Sequence, residues 1–381
     1  MRILIIARGF PTSREPQDGI FEFEQAKALH RAGHEVYIMT VDTRIKKQIR
    51  KIGITSRIID NIPIYQIYYF PTSIVRRINY KWSSRLEQIF ALKLYSYLQA
   101  KVGNFDIVHA HYLPCMHQGI ILKEKYGIKL VGTEHWSEIN RTHLKPYVAY
   151  LGNRTYCKVD ALITVCQPLK LKIKELFSVD SFVVHNMIDD KFSMSEFVTK
   201  KEKVPFVFLM VGSVIYMKGI DVLLEAFYKS NLHQKNVLVK VVGSLSPYKS
   251  VLDKRIKELS LEDKFIIMGP TGKSEILHLL QNTDVFVLPS RSENFSVAVL
   301  EALAVGVPVI STLVGGIKEC IDNDNGYLVP PENIDSLSKS LSYMYTNIEK
   351  FNRKGIREKC INKFSSVQIS SQILDVYTKL K

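Results

Sequence analysis

Short apolar runs alternate with longer segments of helical periodicity along most of the chain. The first run covers residues 2–7, helical spacing follows from Phe21 to Ala32, and a second run covers 36–41. Further apolar runs lie within 105–113, 130–140, 161–170, 181–189, 206–212, 237–243, 265–269 and 284–288. Apolar strands that alternate with helices are typical of a parallel sheet covered on both faces. The pattern therefore predicts an α/β protein with doubly wound parallel sheets.

The length of the chain and one polar segment indicate two domains. A chain of 381 residues exceeds the usual size of a single hydrophobic core. Residues 190–205, DKFSMSEFVTKKEKVP, are polar and charged and interrupt the alternating pattern, as a linker does. We therefore expect a first domain over 1–189, a second over 190–365 and a final helix over 366–381.

The cysteine and apolar content indicates a cytoplasmic protein without a membrane-spanning helix. The five cysteines are scattered and form no C-x-x-C pair, which is typical of reduced thiols. The apolar run between Arg2 and Arg8 is too short for a secretion signal. The longest uncharged run, 302–317, contains Gly and Pro and is shorter than a bilayer span.

The net charge of +15 favours an anionic partner. Residues 1–190 contain 27 Lys and Arg against 17 Asp and Glu, so most of the excess lies in the first half. Segments 44–57 and 74–85 interleave basic residues with apolar and aromatic ones, including Tyr80 and Trp82. Such segments suit anionic lipid headgroups, although a solvated basic face explains the same pattern. No helix-turn-helix, zinc or RNA-binding signature accompanies the charge, so nucleic acid is not expected.

Histidines and a glutamate lie on two predicted strands of the first domain. His109 and His111 share one strand face because strand side chains alternate. An H-x-H pair can form half of a metal site, but His117, Glu134 and His135 do not complete a ligand spacing, so no metal is expected. Glu134 and His135 end a strand, where a parallel sheet opens into a cleft. They are candidates to face the acceptor or donor, with capping of the next helix as the alternative.

Two carboxylates flank a predicted helix start within residues 289–316. An apolar strand leads to Glu293, and a helix that begins near Ser296 carries Glu301 on its second turn. Ser296 suits the N-cap position, and the amides of 295–297 then point outward, where a helix start attracts anions such as a diphosphate. Ionised carboxylates accept hydrogen bonds from sugar hydroxyls. Two solvated glutamates are the alternative, because charged residues are mostly exposed.

The residues that follow Glu301 carry a family resemblance. Residues 304–310 read A-V-G-V-P-V-I, and Gly315-Gly316 come next. The stretch closely resembles glycosyltransferase family 4, whose retaining members share a Glu, seven residues, a second Glu, A-x-G-x-P-V-I and a Gly-Gly turn. The resemblance implies that Glu293 contacts the transferred sugar and that Glu301 holds the nucleotide ribose. The family usually has Phe-Gly where this chain has Phe295-Ser296.

The resemblance implies further residues around a sugar nucleotide. Lys218-Gly219 matches a Lys-Gly pair, but Ser213 replaces the Arg that normally precedes it, and Arg291 or Arg8 is a candidate substitute. The implied donor-binding residues are Gly19, Ser213, Lys218, Thr271, Glu293, Asn294, Phe295, Ser296, Val297 and Glu301. The implied catalytic residues are His111, Lys218 and Glu293, with His109 packed beneath His111 and Asn186 and Asp189 matching an Asn-x-x-Asp element at the hinge.

The family has the GT-B fold, which implies two Rossmann-like domains facing a cleft and a last helix that crosses back to the first domain. The implied reaction moves a hexosyl unit from a nucleoside diphosphate sugar to a saccharide or polyprenyl-diphosphate-linked acceptor in cell-surface polysaccharide synthesis. It retains the anomeric configuration and needs no metal or other cofactor. Peripheral contact with the inner face of the cell membrane is expected. A GT-B sugar epimerase and a non-catalytic nucleotide-sugar-binding subunit of a polysaccharide assembly complex are the alternatives.

Overall fold

The computed structural model of the chain describes residues 1–12, 15, 18–44, 50–198 and 205–380. Parts of the predicted loop 8–20, of the basic segment 44–57 and of the linker 190–205 lie outside these residues. The chain divides into two compact units. The first unit comprises Met1–His185 and Ile369–Lys381, and the second comprises Asn186–Gln368.

The first unit is built on a sheet of eight strands in the order β3-β4-β2-β1-β5-β6-β7-β8. These strands are β1 Arg2–Ile6, β2 Glu35–Val41, β3 Gly53–Ile59, β4 Ile62–Tyr68, β5 Ile107–His111, β6 Lys129–Glu134, β7 Ala161–Thr164 and β8 Phe182–Val183. The helices of this part of the chain are α1 Ile20–Arg31, α2 Thr72–Ile78, α3 Tyr80–Val102, α4 Leu113–Tyr126, α5 Pro146–Thr155 and α6 Gln167–Phe177. The central strands are apolar and buried, with Ile3–Ile6 of β1 fully inaccessible, because helices cover both faces.

The second unit is built on a parallel sheet of six strands in the order β11-β10-β9-β12-β13-β14. Its elements are α7 Asp190–Ser193, β9 Phe206–Val211, α8 Ile220–Lys229, β10 Val237–Val242, α9 Tyr248–Glu258, β11 Phe265–Met268, α10 Lys273–Gln281, β12 Val285–Leu288, α11 Val297–Ala304, β13 Val309–Thr312, β14 Gly326–Val329, α12 Ile334–Asn347 and α13 Arg353–Phe364. The last helix, α14 Ser366–Thr378, starts in this unit, and its residues from Ile369 onward belong to the first. The two sheets confirm the predicted pair of Rossmann-like domains.

One strand departs from the predicted parallel arrangement. β3 pairs antiparallel with β4, and the two are joined by Asp60 and Asn61 alone. Both residues have positive φ, 48° and 62°, as a two-residue type I′ hairpin requires. Residues 53–57 of the predicted basic surface segment 44–57 therefore form an edge strand, and residues 45–49 lie outside the described residues.

The second basic segment, 74–85, forms a bend between two helices. Asn79 ends α2 and caps α3, because its side-chain oxygen accepts hydrogen bonds from the amides of Lys81 and Trp82 at 3.1 and 3.2 Å. Ile78 and Trp82, on either side of the bend, are 86% and 70% exposed. The segment is therefore an exposed corner that carries apolar and basic side chains together.

Candidate active site

Lys218 and Glu293 form an ion pair at the carboxyl end of the second sheet. Lys218 lies between β9 and α8, and Glu293 lies between β12 and α11. Lys218 Nζ is 2.5 Å from Glu293 Oε1, which also accepts a hydrogen bond of 2.8 Å from the Ser290 hydroxyl. The two side chains are only 24% and 12% exposed. A cation and a carboxylate are thus held side by side, largely shielded from solvent, at the edge of the sheet.

Glycines make this pairing possible because each allows two backbone segments to touch. Gly219 has φ +67°, and a Cβ there would lie 2.1 Å from the carbonyl oxygen of Pro289. Gly315 has φ +52°, and its Cβ would lie 2.1 Å from the carbonyl oxygen of Glu293. The next amide, of Gly316, donates to the Asn294 carbonyl at 2.7 Å. The predicted Gly-Gly turn therefore supports the loop that carries Glu293.

The loop reaches α11 through Phe295 and Ser296. Phe295 is buried near the Phe364 ring, and its carbonyl accepts a hydrogen bond of 3.0 Å from the Asn186 side chain. Ser296 occupies the predicted N-cap position, although its side chain makes no capping hydrogen bond. Its hydroxyl therefore does not satisfy the first amides of α11, which begins at Val297 and carries the half-buried Glu301 on its second turn.

Ser213 stands where the family pattern has an arginine, and Arg291 was a candidate to replace that cation. Ser213 is exposed after the Gly212 turn, and a Cβ at Gly212 would lie 3.7 Å from the Lys218 side chain, in ordinary contact. Arg291 is only 10% exposed and donates to both carboxylate oxygens of Asp221, at 2.9 and 2.7 Å. It also contacts Glu332 at 3.0 Å and packs over an aromatic ring. Arg291 is thus paired with two carboxylates of its own unit, and its role as a substitute cation stays a prediction.

Thr271 follows β11 at the same edge of the second sheet and is half-buried. Two residues later Lys273 begins α10, and its ammonium pairs with the Asp189 carboxylate. Asp189 also caps α7 by accepting from the Lys191 amide at 2.9 Å. The Asn-x-x-Asp element therefore has two structural tasks in this unit: Asn186 holds the α11 loop, and Asp189 holds α7 and α10.

Gly19 is the N-cap of α1 in the first unit and has φ +60°. A Cβ there would lie 2.1 Å from the Gly9 carbonyl oxygen, so the glycine brings the end of the β1 loop against the helix start. The neighbouring Asp18 carboxylate forms a bidentate ion pair with Arg44, at 2.7 and 2.8 Å. Arg8, the second candidate substitute cation, lies in this unit over the Tyr112 ring at 3.4 Å.

Three histidine rings stack at the carboxyl end of the first sheet. The rings of His109 and His111 are 4.6 Å apart and 17° from parallel, and those of His111 and His135 are 5.2 Å apart and 11° from parallel. His111 Nδ1 lies 3.0 Å from His135 Nε2. His111 is fully buried, and its Nε2 has no hydrogen-bond partner among the described residues. Burial and the neighbouring His109 and His135 hold the pKa of His111 well below its ordinary 6.5, so the ring is neutral.

Both carboxylate oxygens of Glu134 are engaged inside the first unit, which corrects its candidacy to face the acceptor or donor. Its side chain is fully buried, and its two oxygens accept hydrogen bonds of 2.7 Å from the Trp136 amide and from the Tyr156 hydroxyl. Burial raises its pKa to about 7. His135, the next residue, is half-buried and stacks between His111 and Phe21. Glu134 thus anchors the turn that places His135.

Two contacts of the histidine stack have no local sequence signal. Gln25 of α1 and Tyr377 of α14 both hydrogen-bond to His109 Nδ1, at 2.9 and 2.6 Å. Tyr377 is 268 residues away along the chain.

Within the described ranges, no group of three or more His, Cys, Asp or Glu side chains is arranged to hold a metal ion.

Two sequence-family models match this chain, and together they span residues 23–359. The model of glycosyl transferases group 1 matches 192–359, and that of glycosyltransferase family 4 matches 23–192. The chain belongs to the family 4 glycosyltransferases. The match to the second model includes His111 and His135, and the match to the first includes Lys218, Glu293 and Glu301.

Several named proteins resemble this family 4 chain over most of their length. The Bacillus subtilis protein named for teichuronic acid biosynthesis, TuaC, is 26% identical over 363 residues, covering 90% of this chain and 88% of that protein. The N-acetyl-alpha-D-glucosaminyl L-malate synthase of Bacillus anthracis is 25% identical over 375 residues, covering 94% and 93%.

Solved structures share the fold. Sucrose-phosphate synthase from Thermosynechococcus elongatus superimposes with a TM-score of 0.77 at 18% identity, covering 100% of this chain and 99% of that one. Anabaena HepE in complex with UDP and glucose superimposes with a TM-score of 0.74 at 17% identity, covering 100% of both chains. These likenesses confirm the GT-B class of fold.

Proposed function

We propose that this family 4 chain transfers a hexosyl unit from a nucleoside diphosphate sugar to a saccharide or lipid-linked saccharide, with retention at the anomeric carbon. The Lys218–Glu293 ion pair carries the proposal, because glycine turns hold it at the edge of the second sheet, on the loop that leads into α11. HepE was solved with UDP and glucose, which supports a nucleotide-sugar donor. The name of TuaC supports a role in cell-surface polysaccharide synthesis.

The proposed donor site places positive charge and amide donors at the diphosphate, and carboxylate acceptors at the hydroxyl groups of the transferred sugar and the ribose. The diphosphate accepts from the first amides of α11 and from Lys218, whose ammonium has three N–H donors and can keep its contact with Glu293. Glu293 accepts from a hydroxyl of the transferred sugar, and Glu301 accepts from the ribose diol. Asn294, Phe295, Ser296 and Val297 supply the loop and helix start, and Thr271 lies at the same edge of the sheet.

The proposed chemistry needs no nucleophilic side chain. The acceptor hydroxyl attacks the anomeric carbon from the face that the diphosphate leaves, and a phosphate oxygen of the leaving group takes the hydroxyl proton. The new C–O bond forms as the bond to the phosphate breaks. Lys218 and the α11 amides stabilise the charge that develops on the leaving diphosphate, in the way an oxyanion hole does. No metal ion or other cofactor enters this scheme. His111 is the proposed histidine contact to the sugar, because its Nε2 has no hydrogen-bond partner among the described residues.

The exposed corner between α2 and α3 supports peripheral contact with an anionic membrane. Ile74, Ile78 and Trp82 are 48%, 86% and 70% exposed. Arg77, Lys81 and Arg85 of the same segment are exposed, whereas Arg76 pairs with the buried Glu87 at 2.8 Å. Apolar side chains within a basic surface match an anionic headgroup layer.

The corner lies at the carboxyl end of the first sheet, the same end at which β5 terminates in His111. α2 follows the carboxyl end of β4, and the Tyr80 ring packs 5.5 Å from Tyr150 of α5, the helix that follows β6. A lipid-linked acceptor bound there would be presented near the histidine stack at the inner face of the cell membrane. No helix in the described part of the chain is long and apolar enough to cross a membrane.

The test is to incubate the protein with single nucleoside diphosphate sugars, with and without a lipid-linked saccharide extract, and to measure free nucleoside diphosphate and the product anomer. We expect acceptor-dependent release from one donor and a product with the donor's anomeric configuration. Binding without release would indicate a non-catalytic nucleotide-sugar-binding subunit, which the exposed Ser213 in place of Arg favours. Conversion of the donor to its epimer without acceptor would indicate an epimerase. Either result would overturn the proposal.

A further inference from the structure

Three separate elements hold the imidazole of His109. Gln25 Nε2 of α1 lies 2.9 Å from Nδ1, and the Tyr377 hydroxyl of α14 lies 2.6 Å from the same atom. Thr133 Oγ1 of β6 lies 2.7 Å from Nε2. His109 and Tyr377 are both fully buried, and the Tyr377 ring meets the imidazole edge-on, at 82°. The ring therefore has fixed contacts at both nitrogens and at its edge.

These contacts select one tautomer of His109. The Gln25 amide nitrogen can only donate, so Nδ1 of His109 is the acceptor in that contact, and the Tyr377 hydroxyl, 2.6 Å from the same atom, must then donate to it as well. Nδ1 is thus the acceptor, and the single proton of neutral His109 lies on Nε2, where it donates to Thr133 Oγ1. Burial lowers the pKa of His109 to about 3, so the ring stays neutral at physiological pH.

The orientation of His109 is passed on to His111 by stacking. The two rings are 4.6 Å apart and nearly parallel, and the His135 ring lies 5.2 Å from that of His111, with its Nε2 3.0 Å from His111 Nδ1. His111 cannot tilt without displacing one of these rings, because buried groups are close-packed. The ring of His111, whose Nε2 has no hydrogen-bond partner among the described residues, is therefore held by its two stacked neighbours and by the contact at Nδ1.

We propose that Tyr377 is a positioning residue: by fixing the tautomer and ring plane of His109, the C-terminal helix holds the ring of His111, the histidine proposed to contact the transferred sugar. This inference rests on the proposed function for the role of His111 and goes beyond it by assigning a task to a residue near the end of the chain. Removal of the Tyr377 hydroxyl leaves Nδ1 with the Gln25 donor alone, at 2.9 Å, so the ring gains freedom to turn.

The test compares Tyr377→Phe with Tyr126→Phe, which also removes one tyrosine hydroxyl contact in the first unit, to Ser96 at 2.8 Å. Loss of a single hydrogen bond is expected to lower kcat about fivefold for Tyr377→Phe, with the donor KM within twofold of wild type. Selective ¹⁵N labelling of the ten histidines supplies a second readout. The ring nitrogen signals of both His109 and His111 are expected to shift in Tyr377→Phe and to stay unchanged in Tyr126→Phe.

Gln25→Met, which removes the other Nδ1 donor, is expected to reproduce the shifts and keeps the test available if Tyr377→Phe does not fold. Unchanged His111 signals, or a kcat equal to that of Tyr126→Phe, would overturn the positioning role. If the wild-type protein transfers no sugar, the proposed function fails, while the ¹⁵N spectra still decide whether Tyr377 and Gln25 orient the stack.

Discussion

The ammonium of Lys218 and the carboxylate of Glu293 are 2.5 Å apart although 75 residues separate them in the sequence. The pair is shielded from solvent and rests on the Gly219 and Gly315 contacts, so its geometry is set by backbone packing. Binding of a diphosphate would place a second anion beside Lys218. The ammonium then bridges the leaving group and the carboxylate proposed to hold the sugar.

Replacing Glu293 is expected to impair turnover more than nucleotide affinity. In Glu293→Gln the side chain keeps its size but loses the charge that orients Lys218 and the second strong acceptor for a sugar hydroxyl. We expect kcat to fall about a hundredfold, while affinity for the nucleoside diphosphate changes less than fivefold. Steady-state kinetics and nucleotide titration measure the two effects. Glu225→Gln, which breaks an exposed pair with Arg255 in the same unit, is the matched control, and an equal loss there would contradict the assignment.

The Gly-Gly turn is expected to tolerate no side chain at its first position. Gly315→Ala places a Cβ 2.1 Å from the Glu293 carbonyl oxygen at a φ of +52°. We expect the free energy of unfolding to fall by about 2–4 kcal/mol, because left-handed strain and a backbone clash add together. Urea denaturation measures the change. Gly272→Ala meets no atom within 4 Å and should cost only about 0.5–1 kcal/mol, because Ala is a poorer N-cap than Gly, so a loss as large as that of Gly315→Ala would argue against this contact.

The buried Glu134 is expected to give a pH-dependent difference in stability. Burial raises its pKa to about 7 from the ordinary 4.5, so between these values the folded protein holds a proton that the unfolded chain has released. The contribution of this group to the free energy of unfolding therefore falls as pH rises through this window, by about 3 kcal/mol at most. Glu134→Gln keeps contacts to the Trp136 amide and the Tyr156 hydroxyl without the charge.

The stability of Glu134→Gln relative to wild type is therefore expected to rise from pH 5 to pH 8, as measured by urea denaturation at each pH. The difference between the two proteins removes the opposite trend from buried His109 and His117, whose pKa values are lowered to about 3 and about 4. A difference that does not vary with pH would show that Glu134 is ionised throughout.

The α2–α3 corner is expected to bind anionic vesicles. Ile78→Glu and Trp82→Glu each replace an exposed apolar side chain with a charge of the same sign as the lipid, so we expect each to weaken binding about tenfold. Co-sedimentation with phosphatidylglycerol-containing and with pure phosphatidylcholine vesicles measures the effect. Ile58→Glu, at an isoleucine on β3 that is 72% exposed, is the control. Equal binding to both vesicle types, or an equal loss of binding in the control, would contradict the proposed contact of this corner with an anionic membrane.

The local pattern of apolar and polar residues was enough to predict most of the fold and the loop of the second unit that carries Glu293. Apolar strands, the positions of the helices and the Gly315-Gly316 turn are short-range features, and each appears in the sequence near where it acts. The antiparallel β3 was missed because its strand lies in a segment whose basic and apolar residues also fit a surface helix. The pair Asp60-Asn61, which is suited to a two-residue hairpin, was the signal in the sequence that could have predicted it.

Long-range pairing accounts for what the sequence did not predict. Arg291 is engaged by Asp221, 70 residues away, and Tyr377 reaches His109 from 268 residues away. Periodicity and spacing carry no information about such contacts, since they depend on how elements pack. Glu134 was misplaced for the same reason: a polar residue at a strand end faces either solvent or the core, and its Tyr156 partner lies on a later element.

Calorimetric titration of the full chain with the common nucleoside diphosphates tests the central claim most directly. At least one nucleotide should bind the wild-type protein, and Glu301→Ala should bind it about tenfold more weakly, since loss of a hydrogen bond to a charged group has about that effect. Glu262→Ala, at an exposed residue of the same unit, should match wild type. Absence of binding by every nucleotide, or equal affinity of Glu301→Ala and wild type, would contradict a donor site at the start of α11.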